Sequence, residues 1–507
     1  MRYFKLILAI LFCSCLVQAN VSQGKSWYDI EPAIGADTNS CFFDPTISGG
    51  TDYVSGAGSP HVTFNGSTVT ATAAGASSTI IISGYTVATT DVGNSVRITG
   101  GTNFGIGEYT IGSVNTGTNS WTACASCGNF TSGAASGMTG VMGGTCASPK
   151  QFYTTDALTG TTAYMKGTYT ATATQSISYS GYTGTSATIS LIGYTSTHGD
   201  GGQATWTTAT NSIALITFHA SQGFRFQNII FSTTAGTPGI GWTGGATTGN
   251  SSASCDNCVF NGLNPAIDGN YSGCCYAFVP LVLTNTVVEN SVANGIENTG
   301  PTYCVGCYFY NNGTAGFFMA QGTTTLGPYS FINSIFYKNG TYGIYDNTGQ
   351  SYLGSNGTRL LNVKNCDFVS NTDDGINIDT TGNPIAFTAI NNIFYGNGGY
   401  GVNLNNAGAA QFSVFPVSYN NFYYSNTSGP YNGWTAGPGD VTGTANPFVT
   451  VGSNWALNTT SGGGAAARNA GWPGSLQAGG TGYDDIGALR HQDAGGGATQ
   501  HAYPIIQ

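Results

Sequence analysis

Three of the chain's 22 acidic side chains, Asp373, Asp374 and Asp379, fall within seven positions of the stretch SNTDDGINID, in a sequence of which only 7% is charged. Two carboxylates could divide the acid and base roles of glycoside hydrolysis if they stood about 5–5.5 Å or about 6.5–9.5 Å apart. Three together could bind Ca²⁺, a hard cation that takes oxygen ligands. If 373–379 is one strand, Asp373, Asn377 and Asp379 share its outer face, and the end carboxylates are roughly 20 Å apart at about 3.3 Å per residue. The plainer reading is a bend in which Asp side chains accept backbone N–H groups.

Cysteine is the other reactive residue. Cys124, Cys127, Cys255, Cys258, Cys274, Cys275, Cys304 and Cys307 are the candidates for disulfides, three of the pairs being C-x-x-C. Disulfides are the expected state in an oxidising compartment, with free buried thiols or zinc as alternatives. His198, in STHGDGG, and His219, in ITFHASQ, are separate and read as structural, so no Ser/His/Asp triad is drawn from them.

Residues 1–19, MRYFKLILAILFCSCLVQA, carry Arg2 and Lys5, then an apolar run and a small residue at Ala19. This reads as a secretory signal peptide; a lipoprotein-type exit at Cys15 fits less well because Phe12 precedes it by three. No later stretch has the roughly 20 apolar residues of a spanning helix. The expected location is therefore secreted, extracellular or on the cell surface. With Arg2 and Lys5 removed from 12 basic residues, the 22 acidic ones outnumber the rest by twelve, and no Lys or Arg lies between Arg225 and Lys338. That charge excludes nucleic acid as a partner.

A repeat organises the middle of the chain: FQNIIF, CDNCVF, YCVGCYFYNNGTAGF, FINSIFYKNGTYGI, VKNCDFVSNTDDGI, INNIFYGNGGYGV and SYNNFYYSN. Aromatic anchors fall at Phe231, Phe260, Phe309, Phe336, Phe368, Phe394 and Phe422, with a weaker copy at Val287 or Val288. Alternating apolar residues bounded by Asn and Gly predict short strands without helices. Strands recurring at that period stack in parallel as coils about 4.8 Å apart, with the Phe anchors inside and Asn at the bends. Tyr308, Tyr310, Tyr337, Tyr395 and Tyr423 flank the anchors and are expected on the outer face, where they could stack on sugar rings.

This repeat resembles the right-handed parallel β-helix of the pectin-lyase-like superfamily. The predicted class is all-β: a signal peptide (1–19), a small N-terminal β-rich region (20–147), the β-helix solenoid (148–450), and a closing segment with a flexible Gly-rich tail (451–507). The resemblance is closer to phage tail-spike and adhesin members than to catalytic ones. Asn371-Thr372-Asp373 is similar to the N-T-D-G element of polygalacturonases, but the Asp-Asp pair that should follow one coil later is replaced by GNGGYGVNL. A lyase would need a basic residue over the acids, and Arg359, Lys364 and Lys338 are not placed there by register. The expected role is structural, adhesive or glycan-binding without catalysis. The competing expectation is a Ca²⁺-dependent lyase or glycoside hydrolase acting at Asp373, Asp374 and Asp379. No cofactor is called for beyond an optional Ca²⁺ at those acids, a polysaccharide or cell-surface glycan is the expected partner, and a homotrimer is left open without a recognisable trimerisation element.

Overall fold

The computed structural model describes residues 27–33, 42–43, 62–65, 69–72, 79–82, 86–87, 89, 95–102, 107–123, 135–142, 146–153, 162–177, 188–196, 198–218, 223–244, 251–269, 278–320, 328–347, 359–379, 385–405, 417–433, 435–468, 470–471 and 485–489. The signal-peptide residues and Cys124, Cys127, Cys274 and Cys275 lie outside the described residues. The chain divides into two compact units, Met1–Asp156 and Ala157–Gln507.

In the first unit, strands from Val62–Asn65 to Ala135–Met142 form a seven-stranded antiparallel sheet. Ala135–Met142 pairs with both Val69–Thr72 and Ser95–Thr102, so the strand order closes on itself. Closure of this kind leaves fewer unpaired edges.

The second unit is a parallel β-helix. Each coil contributes one strand to each of three parallel sheets, as in Thr302–Val305, Tyr308–Tyr310 and Ala315–Met319, followed by Pro328–Ile332, Ile335–Tyr337 and Tyr342–Asn347. The third of these sheets has ten strands, so ten coils are present among the described residues. The corner between the first and second sheets needs a left-handed residue, and Asn257, Asn285, Asn333, Asn365, Asn391 and Asn420 supply it with φ from 49° to 57°. Asn tolerates that region better than other side chains with a Cβ.

The aromatic anchors stack as the spacing predicts. Phe309, Phe336, Phe368, Phe394 and Tyr423 lie ring over ring with centroids 4.6, 4.8, 5.0 and 5.1 Å apart. The last member corrects the expected register: Tyr423, not Phe422, pairs with Phe394 and points inward. Phe422 faces out and is buried under the C-terminal segment. At the start of the column Trp206 sits beneath Phe231, an anchor the Phe pattern misses.

Asn residues three positions after the anchors form a buried ladder. Each side-chain N–H₂ donates to the next coil's carboxamide and to a backbone carbonyl of the preceding coil, as Asn339 does to Asn371 Oδ1 (2.9 Å) and Phe309 O (3.3 Å). This uses every donor a buried carboxamide owns, which is the condition for burying it cheaply. Asn312 and Asn339 both begin Asn-Gly-Thr sequons, yet are 1% and 0% exposed in this ladder, which keeps them from carrying a glycan.

Cys146 is disulfide-bonded, in keeping with an oxidising compartment, but the four disulfide candidates among the described residues depart from expectation. Cys255, Cys258, Cys304 and Cys307, together with Cys366, are free buried thiols. The Cys255/Cys258 and Cys304/Cys307 pairs each span the sharp corner with both thiols buried. Cys258, Cys307 and Cys366 donate to the carbonyls of Phe226, Leu283 and Phe331 one coil back. Those S–H bonds satisfy the groups without a covalent link.

The C-terminal segment folds back over the second sheet. Strands Phe448–Thr450 and Asn454–Leu457 and the short helix Gly464–Ala467 bring Phe448, Trp455, Leu457 and Ala467 against Ile335, Tyr337, Val369, Ile393 and Phe422. The Gly- and Ala-rich run around 459–471, which reads as linker, is thus part of a packed cover, and its small residues permit the close approach. Residues 485–489, within the YDDIGALRHQD unit (483–493) that resembles a closing strand, lie across the outer face of the second sheet without joining it as a strand.

Candidate functional site

The three acids do not share one strand. Ile376–Asp379 is the strand, and Asp373 and Asp374 occupy the corner before it. Gly375 makes this corner tight, because a Cβ there would come within 2.6 Å of the Gly401 carbonyl. Asp374 is 1% exposed and its carboxylate is fully used. Oδ1 accepts the backbone N–H of Tyr400 at 2.6 Å, and Oδ2 accepts the amides of Asn377 (2.6 Å) and Asn403 (2.9 Å). Asp374 therefore fastens two coils together, as the bend reading requires.

Asp373 is half-buried beside it, and burial together with the Asp374 charge raises its pKa above the ordinary carboxylate value. Gly399 lies directly under both acids: a Cβ there would come within 2.3 Å of each Oδ1. Tyr342, one coil earlier, is pushed up to about 12 by burial first and then by Asp373, Tyr345 and Asp374. Asp379 is in register with Asn347 and Asn405 at the strand's end. Among the described residues no group of three or more His, Cys, Asp or Glu side chains is arranged to hold a metal ion.

The tyrosines expected to form an exposed row are not one. Tyr423 is inside the core and Tyr337 is buried against Trp455, with ring centroids 5.0 Å apart. Tyr308, Tyr310 and Tyr395 face outward from the second sheet as strand alternation predicts, but they pack against the C-terminal cover and are half-buried. Burial raises Tyr308 far above the ordinary phenol value, with smaller contributions from Tyr337, Tyr310 and Glu289.

Partly exposed aromatic surface lies instead on the third sheet. The register places Asp268, Glu297, Phe318, Tyr345, Asn377, Asn403 and Asn432 in one outward column, one residue per coil. Phe318 and Tyr345 stack at 5.4 Å, and Tyr342 stacks on Tyr345 at 4.5 Å. All three are half-buried, as are Asp268 and Glu297. Asn294 donates to Glu297 Oε1 at 2.7 Å and holds that carboxylate along the face. The column carries no Lys or Arg. Sequence reasoning missed it because the strands there are short and their aromatics do not repeat; the signal was the Gly-apolar step after each ladder Asn, one to two residues before Phe318 and Tyr345.

No family model matches the chain, and no curated protein matches it. Solved structures overlap it partially. Pectate lyase Pel9A is similar at 14% identity over 66% of this chain and 89% of that one, with a TM-score of 0.42. The Agl-KA catalytic domain gives 12% identity over 75% and 88%, TM-score 0.32. A GH87 alpha-1,3-glucanase catalytic domain in complex with nigerose gives 12% over 75% and 89%, TM-score 0.20. The strand register by itself establishes a three-sheet parallel β-helix, the architecture that the repeats resemble in the pectin-lyase-like superfamily.

Proposed function

We propose that this protein is an exported β-helix that holds a neutral carbohydrate chain against the outer face of its third sheet without cleaving it. The observation that carries this reading is the half-buried Phe318, Tyr342 and Tyr345 surface, set in one column with the half-buried carboxylates of Asp268 and Glu297. Aromatic faces stack on the C–H faces of sugar rings, and carboxylates and amides bond their hydroxyls. The coil rise of about 4.8 Å is comparable with one hexose unit of an extended chain. An acidic face without Lys or Arg disfavours uronates and sulfated sugars. Asp374, saturated by three donors, has no free lone-pair role as the partner of Asp373 in a two-carboxylate mechanism.

The test is titration of purified protein with soluble neutral glucan, xylan and polygalacturonate, with reducing ends followed in parallel. Neutral chains should bind, and Phe318→Ala and Tyr345→Ala should each weaken them about tenfold, equivalent to about 1.4 kcal/mol. Polygalacturonate should not bind. No binding by any chain would sink the proposal.

One observation favours a second reading, cleavage at the acidic corner. Asp373 holds its proton more tightly than a free carboxylate and stands near Tyr342, as a general acid would. Release of reducing ends or unsaturated ends that Asp373→Asn abolishes, with or without calcium, would establish it.

A further inference from the structure

Residues 485–489 cross the outer face of the second sheet as a strap held by three successive backbone N–H groups. Ile486 donates to Ala467 O at 3.0 Å, Gly487 to Asn391 O at 2.8 Å, and Ala488 to Asp367 Oδ1 at 3.0 Å. The fit is close: a Cβ on Gly487 would come within 2.7 Å of Ile393 and 2.8 Å of Asp367 Oδ1.

Asp367 is out of place in this contact. It stands in an outward column between Ile335 and Ile393, is 0% exposed, and its Oδ2 makes no hydrogen bond. The strap and the surrounding cover have taken a carboxyl group out of water and returned one hydrogen bond. A buried carboxylate with an unmet oxygen is held far more easily as the neutral acid.

We propose that the 485–489 strap is a proton-operated cover, which closes over the second sheet as Asp367 takes up one proton from solvent and loosens as that proton is lost. The proposal is independent of the glycan reading.

The groups facing Asp367 leave this proton without an obvious rival. Tyr337 and Tyr395 lie on the neighbouring strands, the Cys366 thiol is adjacent in sequence and turned inward, and Asp485 begins the strap. Arg468, after the short helix, is directed to the Leu457 carbonyl. None of them hydrogen-bonds Asp367. Asp484, Arg490 and His491 flank the strap in sequence, outside the described residues. Burial pushes the Asp367 pKa from 3.8 up to about 8 against the opposing pull of the Ala488 N–H.

The direction of the effect follows. The closed form keeps the proton until about pH 8, whereas with the strap lifted the acid returns toward its ordinary value near 3.8. Between those values each unit rise in pH disfavours closure by about tenfold, and above about 8 the penalty stops growing. Acid fastens the strap and alkali releases it, uncovering the Ile335 and Ile393 face.

Amide hydrogen exchange of the full chain from pH 5 to 9, corrected for intrinsic exchange, tests this. Protection of residues 486–488 should fall about tenfold per pH unit and level off near pH 8, while the ladder amides of Asn339 and Asn371 keep theirs. Asp367→Asn retains an acceptor for Ala488 but has no proton to lose, and should show a flat profile. Asp367→Val, which matches the isoleucine column, should be flat and more protected. A flat wild-type profile would overturn the proposal, as would an Asp367→Asn profile with the wild-type slope. The wild-type profile decides alone if neither variant folds.

Discussion

Asn339 donates a side-chain N–H to Asn371 Oδ1 at 2.9 Å, and Asn371 donates in turn to Asn397 Oδ1 at the same distance one coil further on. Removing a middle member leaves partners stranded on both sides. Asn339→Ala should destabilise the β-helix by about 3–5 kcal/mol, since several buried groups lose a bond at about 1–3 kcal/mol each with partial relaxation. Asn426→Ala, at the half-buried end of the ladder, should cost about 1–2 kcal/mol because water can replace it. Urea unfolding of both variants checks the contrast.

Asp374 and Asp373 should separate cleanly on substitution. Asp374→Asn turns an acceptor toward the amides of Asn377 and Asn403 into a donor facing donors, and about 2–4 kcal/mol of stability should go with it. Asp373→Asn should be within about 1 kcal/mol of wild type. Equal losses in denaturant unfolding would mean that the two acids share one role.

The buried thiols should be silent in the folded protein. Burial raises Cys255, Cys304 and Cys366 above the ordinary thiol value of 9.0. In the unfolded chain these thiols ionise above that value, whereas in the folded chain they stay neutral. Their contribution is therefore complete below about pH 9 and declines as pH climbs beyond it, by on the order of 1 kcal/mol per thiol per pH unit. A thiol reagent at pH 8 should label these residues only at the rate of unfolding, and rapid labelling would contradict the burial.

Trp455 ties the C-terminal cover to the tyrosines, with ring centroids 5.0 Å from Tyr337 and 5.2 Å from Phe448. Trp455→Ala should cost about 3–4 kcal/mol and loosen the cover before the coils. Exchange at 454–457 that rises while the Asn ladder keeps its protection would show this order of events.

The coil was legible because its signals are periodic: a Phe that must stack, an Asn three residues later that must pair, and a Gly where neighbouring backbones pinch. What failed was information normal to the sheet. Alternation correctly turned Tyr308, Tyr310 and Tyr395 outward, but nothing in their own strands says that Trp455 and Phe448, more than 50 residues on from Tyr395, come to lie on them. Gly464 and Ala467 read as linker for the same reason that they pack well: they are small. The C-x-x-C pairs misled because spacing alone cannot tell an oxidised pair from two thiols bonded to carbonyls across a corner. Asp374 was legible as a bend residue, while its partners Asn377 and Asn403 emerged only from the register.

The three corners of a coil differ in how much sequence they can hold. Between the first and second sheets an early coil holds nine residues, from Tyr194 to Ala204, but from Phe278 onward two suffice, as from Val305 to Tyr308 and from Ile332 to Ile335. Between the third and first sheets the connection grows from three residues after Asn298 to eleven after Asn347. In the coils from Phe278 onward, insertions can therefore accumulate mainly along that edge of the column while the stacked anchors and paired amides stay in phase. Mutational change in length and conservation of register are thereby assigned to different sides of the same molecule.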